Sequence, residues 1–181
     1  MEWVPPDELR GTTVTLRRYR LSDRDALLEV LAASHEHLRA WMPWAQSPPT
    51  EESVLEFLRL ATERFGGDAA DYAITIPTTG RYVGGCSLMR RIGPGALEIG
   101  YWVDVRSIGR GIATDAARLL TAAGLAVDGV ARVEIHCDEA NTRSAAIPER
   151  LGYRLDRVEP DEIATPSETG RSMIWVTTAR A

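Results

Sequence analysis

Residues 97–120 read LEIGYWVDVRSIGRGIATDAARLL, and no other stretch limits the fold as much. The first nine positions are rich in β-branched, aromatic and bulky residues, which predicts a strand. Gly109 and Gly111 follow with Arg110 between them, and Ala and Leu then recur at helical spacing to about Val127. A helix start leaves backbone N–H groups unpaired and carries partial positive charge. Glycine lets the backbone approach a ligand and take φ values that other residues avoid. Strand, Gly-x-Gly turn and helix thus form a seat for a phosphate or diphosphate, with Arg106 and Arg110 adding charge. A plain strand-to-helix turn would need only one of the two glycines.

A dinucleotide-binding domain is one reading of this seat, but its G-x-G-x-x-G fingerprint fails because Thr114 stands at the third glycine. Such a domain also needs several strand–helix units after the motif, and only about seventy residues remain. All 21 basic residues are arginine, which removes the P-loop lysine and the Schiff-base lysine together.

The rest of the chain supplies a single domain, expected over 1–181. Residues 12–20 alternate as a strand, and Ser22 and Asp23 offer an N-cap to a leucine-rich helix. Thr50 opens a second helix running to about Phe65. Three strands follow as a meander: DYAITIP, RYVGGCSLMRR and ALEIGYWVDV. After the 109–127 helix come the strand RVEIHCD, a short helix capped by Asn141 and closed by Gly152, and the strands YRLDRVE and RSMIWVTTA. The order predicts an α/β (α+β) fold: a mixed, mainly antiparallel sheet of about seven strands flanked by about four helices, with a parallel strand–helix–strand crossover in the second half.

Arg106-x-x-Gly109-x-Gly111, followed by Ile112 and Ala113, resembles the Q/R-x-x-G-x-G/A signature of the GCN5-related N-acetyltransferases (GNAT). EIGYWVDVRSIGRGIATDA, NTRSAAIPERLGY and HLRAWMPW resemble, in order, three blocks of the RimJ/RimL-type branch that acetylates protein N-termini, ribosomal ones among them. The resemblance covers nearly the whole chain. It implies acetyl-CoA as donor, a diphosphate seat over Arg106, Ile108, Gly109, Arg110, Gly111, Ile112, Ala113 and Thr114, and a splayed strand edge at Trp102, Val103 and Val105 for the pantetheine arm. Asn141 is explained by its cap alone, and the resemblance adds a pantetheine contact. Ile108 and Ile112 read equally well as core or as cofactor contacts.

Moving an acetyl group from a thioester to an amine needs a base for the ammonium, a donor for the oxyanion and a group that stabilises the leaving sulfur. Many relatives place a tyrosine seven residues after the asparagine; here that position is Pro148. The resemblance instead implies Ser144 as the acid. Pro148 cannot donate to the Ser144 carbonyl, so a kinked or short helix is expected. Glu98 is the first candidate base and Glu162 a second. Trp41 and Trp44 line an acceptor channel or cap the core. The acceptor implied is a peptide N-terminus or a small amine, bound with acetyl-CoA in a ternary complex. Homodimers occur in the family, but nothing in the residues demands one.

The formal net charge of -5 argues against a nucleic-acid partner. No apolar run reaches membrane-spanning length, and the first ten residues lack a signal-peptide pattern, so a cytoplasmic protein is expected. Cys86 and Cys137 read as buried reduced thiols. His35, His37 and His136 form no metal-ligand pattern, and His136 reads as part of an apolar strand. The competing function is a non-catalytic acyl-CoA-binding or sensing module, which would keep the glycine loop without acid or base.

Overall fold

The computed structural model describes residues 3–179. Its strands are β1 (Glu8–Arg10), β2 (Thr15–Arg18), β3 (Ala69–Thr75), β4 (Tyr82–Met89), β5 (Ala96–Val103), β6 (Arg132–Asp138), β7 (Arg154–Pro160) and β8 (Arg171–Thr178). The helices are α1 (Arg24–Arg39), α2 (Glu51–Glu63), α3 (Ile112–Leu125) and α4 (Thr142–Arg150). One sheet runs in the order β1-β2-β3-β4-β5-β6-β8-β7. Only β5 and β6 pair in parallel, across the crossover through α3; every other pairing is antiparallel.

The sheet has eight strands where about seven are expected. The extra strand, β1, is three residues long and exists because Leu9 pairs with Leu16. So short a segment carries no readable alternation. Strand β2 is shorter than the expected 12–20, because Gly11 donates to the Val14 carbonyl in a turn and residues 21–23 curl into a 3-10 turn. Asp23 caps that turn, accepting from the Arg20 amide at 2.9 Å, and both Arg17 nitrogens hold it at 2.7 and 2.8 Å. Residues 1, 2, 180 and 181 of the expected domain lie outside the described residues. Among the described residues no helix is long and apolar enough to cross a membrane.

Strand alternation gives the sheet two distinct faces. On one face Leu88, Leu97, Ile99, Val133 and Ile135 pack beneath Ile112, Ala116, Leu119 and Leu120 of α3, with Ile147 of α4. Gly124 lets α3 lie close, since a Cβ there would stand 3.0 Å from Val133 Cγ2. On the other face Leu27, Val30, Val54 and Leu58 of α1 and α2 cover Tyr19, Ala73 and Tyr82. Farther along that second face the floor turns polar. Asp71 is held by Arg64 at 2.6 and 2.8 Å, Glu98 by Arg91 at 2.5 and 2.7 Å, and Glu134 by Arg132 at 2.6 Å. Glu98 and Glu134 are register partners on adjacent parallel strands. Two neighbouring buried carboxylates each need a cation, and the planar guanidinium fork suits that pairing.

Candidate active site

The two glycines of the expected anion seat take left-handed backbone. Gly109 and Gly111 both have φ +75°, and a Cβ built on either meets nothing within 4 Å. Left-handed backbone here costs glycine nothing and other residues about 1–2 kcal/mol. Among the described residues the amides of residues 109–114 have no acceptor, and the first α3 bond runs from the Asp115 amide to the Gly111 carbonyl at 2.9 Å. Six consecutive free N–H groups at a helix start form an anion cradle. It opens on a cavity of about 910 Å³ lined also by Val103, Ile108, Ala113 and Thr114. Ile112 is 3% exposed and belongs to the core, although it also touches this cavity; Ile108 is 39% exposed beside it.

The sheet parts next to the cradle. Strand β5 pairs with β6 only as far as Ile99 and Ile135, whereas its pairing with β4 continues to Val103. Residues 100–103 therefore present an open edge toward β6, which a ligand's amide groups can join as a further strand would. Trp102 and Val103 lie on that edge. Val105 does not: it starts a 3-10 turn and donates its N–H to Ser34 Oγ at 3.0 Å. Arg106 is also spoken for, with its guanidinium on buried Asp104 and on Glu29. Neither of these residues, nor Arg110, lines the cavity.

A second cavity, of about 940 Å³, lies over the polar part of the sheet floor. It meets the first at a junction of residues common to both: Leu38, Trp41 and Met42 at the end of α1, Tyr101 and Trp102 on β5, and Asn141 and Ser144 on α4. Trp44 lines the second cavity alone and stands edge-on to Trp102 with ring centres 5.9 Å apart.

Local sequence builds the junction. Asn141 Oδ1 accepts the Ser144 amide at 3.2 Å, so the predicted cap exists, and Nδ2 has no partner among the described residues. Pro148 leaves the Ser144 carbonyl without its helical donor. The Tyr101 hydroxyl donates to that carbonyl at 3.2 Å and lies 3.2 Å from Ser144 Oγ. Burial raises the Tyr101 phenol above its ordinary range, so it remains a donor. α4 is accordingly short, nine residues with Pro148 inside. Sequence reasoning missed Tyr101; its signal was the carbonyl that Pro148 orphans. Cys137, half-buried and free, has its thiol pushed up to about 11 by burial. Cys86 is buried and free.

Glu98 lines the second cavity but both its oxygens accept from Arg91. Glu162 is exposed and outside both cavities. His136 is not in apolar surroundings as its strand suggested: it is half-buried, lines the second cavity and sits 2.7 Å from Glu134.

The family described as Acetyltransferase (GNAT) domain matches residues 13–154. The chain belongs to the GNAT acetyltransferase family. The chain is 28% identical over 142 residues, 77% of each protein, to the Bacillus subtilis protein named "Putative ribosomal N-acetyltransferase YdaF". Two solved structures share its fold. MccE, the microcin C7 self-immunity acetyltransferase, with acetyl-CoA and AMP, has TM-score 0.85, 19% identity and coverage of 97% and 98% of the two chains. RimL, a ribosomal L7/L12 α-N-protein acetyltransferase, with coenzyme A, has TM-score 0.83, 21% identity and coverage of 97% of each chain.

Acetyl-CoA is the donor substrate of this acetyltransferase, and the cradle fits it: a diphosphate matches six free amides and the space left by two missing Cβ atoms. The thioester supplies an activated acetyl group. If Ser144 stabilises the leaving sulfur, Ser144→Ala lowers kcat roughly 10²-fold while calorimetric affinity for coenzyme A stays within about twofold, because the cap and the Tyr101 bond to the carbonyl remain. An unchanged kcat would remove Ser144 from the chemistry.

Proposed function

We propose that this GNAT acetyltransferase acetylates the α-amine of a protein N-terminus by direct attack within a ternary complex, in the cytoplasm. The observation that carries the reading is the junction, where a donor cavity with a diphosphate cradle meets a separate cavity of about 940 Å³. A space of that size accepts several residues of extended chain. Trp41 and Trp44 give it apolar walls, and the names of YdaF and RimL point to ribosomal proteins as the kind of acceptor.

Each residue has a part in this reading. Residues 109–114 hold the diphosphate through main-chain N–H groups. Trp102 and Val103 offer the open edge to the pantetheine arm, and Asn141 Nδ2 offers a further donor. An edge N–H at Trp102 or Val103 serves the oxyanion, and the Ser144 hydroxyl serves the departing sulfur. Pairing with Arg91 does not suit Glu98 to proton transfer, and it is retained as a wall of the acceptor site.

The reading is tested by thiol release from acetyl-CoA with short peptides bearing free or formyl-blocked N-termini, a lysine side-chain amine, and small primary amines. Transfer confined to free N-termini is expected, with mass spectrometry placing the acetyl group on the α-nitrogen. Faster transfer to the small amines would replace the peptide acceptor with a small molecule. Coenzyme A binding without transfer to any amine would favour a sensing module.

A further inference from the structure

His136 occupies the first β6 position beyond the last β5–β6 pair, Ile99 with Ile135. Its ring lines the acceptor cavity with its side chain 24% exposed. Nε2 lies 2.7 Å from Glu134 Oε2, and Arg132 Nε lies 2.6 Å from Glu134 Oε1. Glu134 is 3% exposed, and the bonds from Arg132 and His136 outweigh burial and hold its carboxyl below the usual range. An ionised carboxylate only accepts, so Nε2 carries the hydrogen and Nδ1 the lone pair. Among the described residues Nδ1 has no hydrogen-bond partner.

Apart from exposed Glu56, the other carboxylates of the cavity are engaged, Asp161 by the Glu162 amide. Arg91 holds both Glu98 oxygens, and Arg64 holds both Asp71 oxygens. Asp138 accepts the amides of Ala140, Thr169 and Gly170, and Glu168 those of Ala164 and Thr165. His35 also lines the cavity, but its nearest carboxylate contact, Glu36 at 3.6 Å, is too long for a hydrogen bond. Among the described residues His136 alone joins a ring nitrogen without a partner to a buried carboxylate that fixes its tautomer, the arrangement that prepares an imidazole for proton transfer.

We propose that His136 is the general base that deprotonates the acceptor ammonium, with Glu134 as its positioning residue. The ammonium gives one proton to Nδ1, and the Nε2–H stays on Glu134, which stabilises the imidazolium. The amine lone pair forms the C–N bond, the C–S bond breaks, and its electron pair leaves on sulfur. A second N–H proton ends on that sulfur, and His136 releases its own to solvent. The products are one amide, one thiol and one proton.

The charged groups around His136 are Glu134 and Asp138 on its own strand, and Arg157 and Glu159 on β7 beyond Ile174 and Ser172. Arg132 shares its strand, and Glu56, Arg64 with Asp71, Arg91 with Glu98, Asp161 and Glu168 line the same cavity. The test uses whichever primary amine the unaltered chain acetylates fastest, so it does not depend on the acceptor being a peptide. His136→Ala is expected to lower kcat/KM about 10²-fold near neutral pH and to move the acid limb of its pH profile up to the ionisation of the acceptor amine itself. Added imidazole restores part of the rate. Hydroxylamine, unprotonated at pH 7.5, loses less than about threefold as acceptor, because it needs no base. Glu134→Gln lowers kcat about tenfold with KM within twofold. An acid limb that stays in place in His136→Ala, or equal losses with hydroxylamine and the amine, overturns the assignment. Melting temperature and coenzyme A affinity separate such a loss from misfolding, and His136→Gln repeats the test should the alanine variant fail to fold.

Discussion

Replacing Gly111 with aspartate is expected to weaken coenzyme A binding by at least about a hundredfold. The side chain would enter the open space over the cradle, where a diphosphate must sit against the free amides of residues 109–114. Two like charges about 5 Å apart at an effective dielectric near 20 repel by roughly 3 kcal/mol, which corresponds to about two orders of magnitude in affinity. Backbone strain at φ +75° adds to this. Gly111→Ala separates the two effects, since its methyl meets nothing within 4 Å and carries no charge. It should lose about tenfold or less. Calorimetric titration with coenzyme A measures both variants. An aspartate variant that binds like the unaltered chain would place the diphosphate elsewhere.

Asp115→Ala is expected to be the most destabilising single change near the site. Asp115 is 8% exposed and accepts from the Thr13 amide at 2.7 Å, the Thr13 hydroxyl at 2.8 Å and the Val14 amide at 3.2 Å. Arg118 holds its other oxygen at 2.7 Å. Alanine leaves these partly buried donors without an acceptor, at about 1–3 kcal/mol for each that water cannot reach. A loss near 3 kcal/mol lowers Tm by roughly 6–12 °C in a domain of this size. Burial acts to raise the Asp115 carboxyl, but bonds from Thr13, Arg118 and Val14 outweigh it and hold the carboxyl below its usual range. A depressed folded value means that the contribution is complete above the unfolded pKa of about 3.9 and disappears as pH falls through the folded value. The Tm gap between unaltered and variant proteins should therefore narrow between pH 5 and pH 2. A gap that is constant over that range would show that the ionised carboxylate is not what links β2 to α3.

The strand–glycine–helix unit was legible because its signals are local: a β-rich run, two glycines and an amphipathic stretch. The Asn141 cap was legible for the same reason. What sequence did not reveal depends on which side chains the folded backbone turns toward one another. Arg106 read as a charge for the ligand, yet Asp104 and Glu29 claim it in the fold. Glu98 read as a candidate base because nothing local announced Arg91, which reaches it across the β4–β5 turn. Val105 read as strand edge because a 3-10 turn leaves little trace in composition. His136 reads as part of an apolar strand, yet its surroundings are polar. Glu134, His136 and Asp138 alternate with Val133, Ile135 and Cys137, and that period of two announces a polar face on a strand that was read as apolar throughout.

The lone proline in α4 also bears on how such sites diverge. In many family members a tyrosine stands at the position held here by Pro148. Exchanging the proline for that tyrosine would add a phenol and, with it, a main-chain N–H able to close the helix onto the Ser144 carbonyl. Tyr101 would then share that carbonyl with the new N–H. A single exchange at position 148 would thus also rewire the surroundings of Ser144.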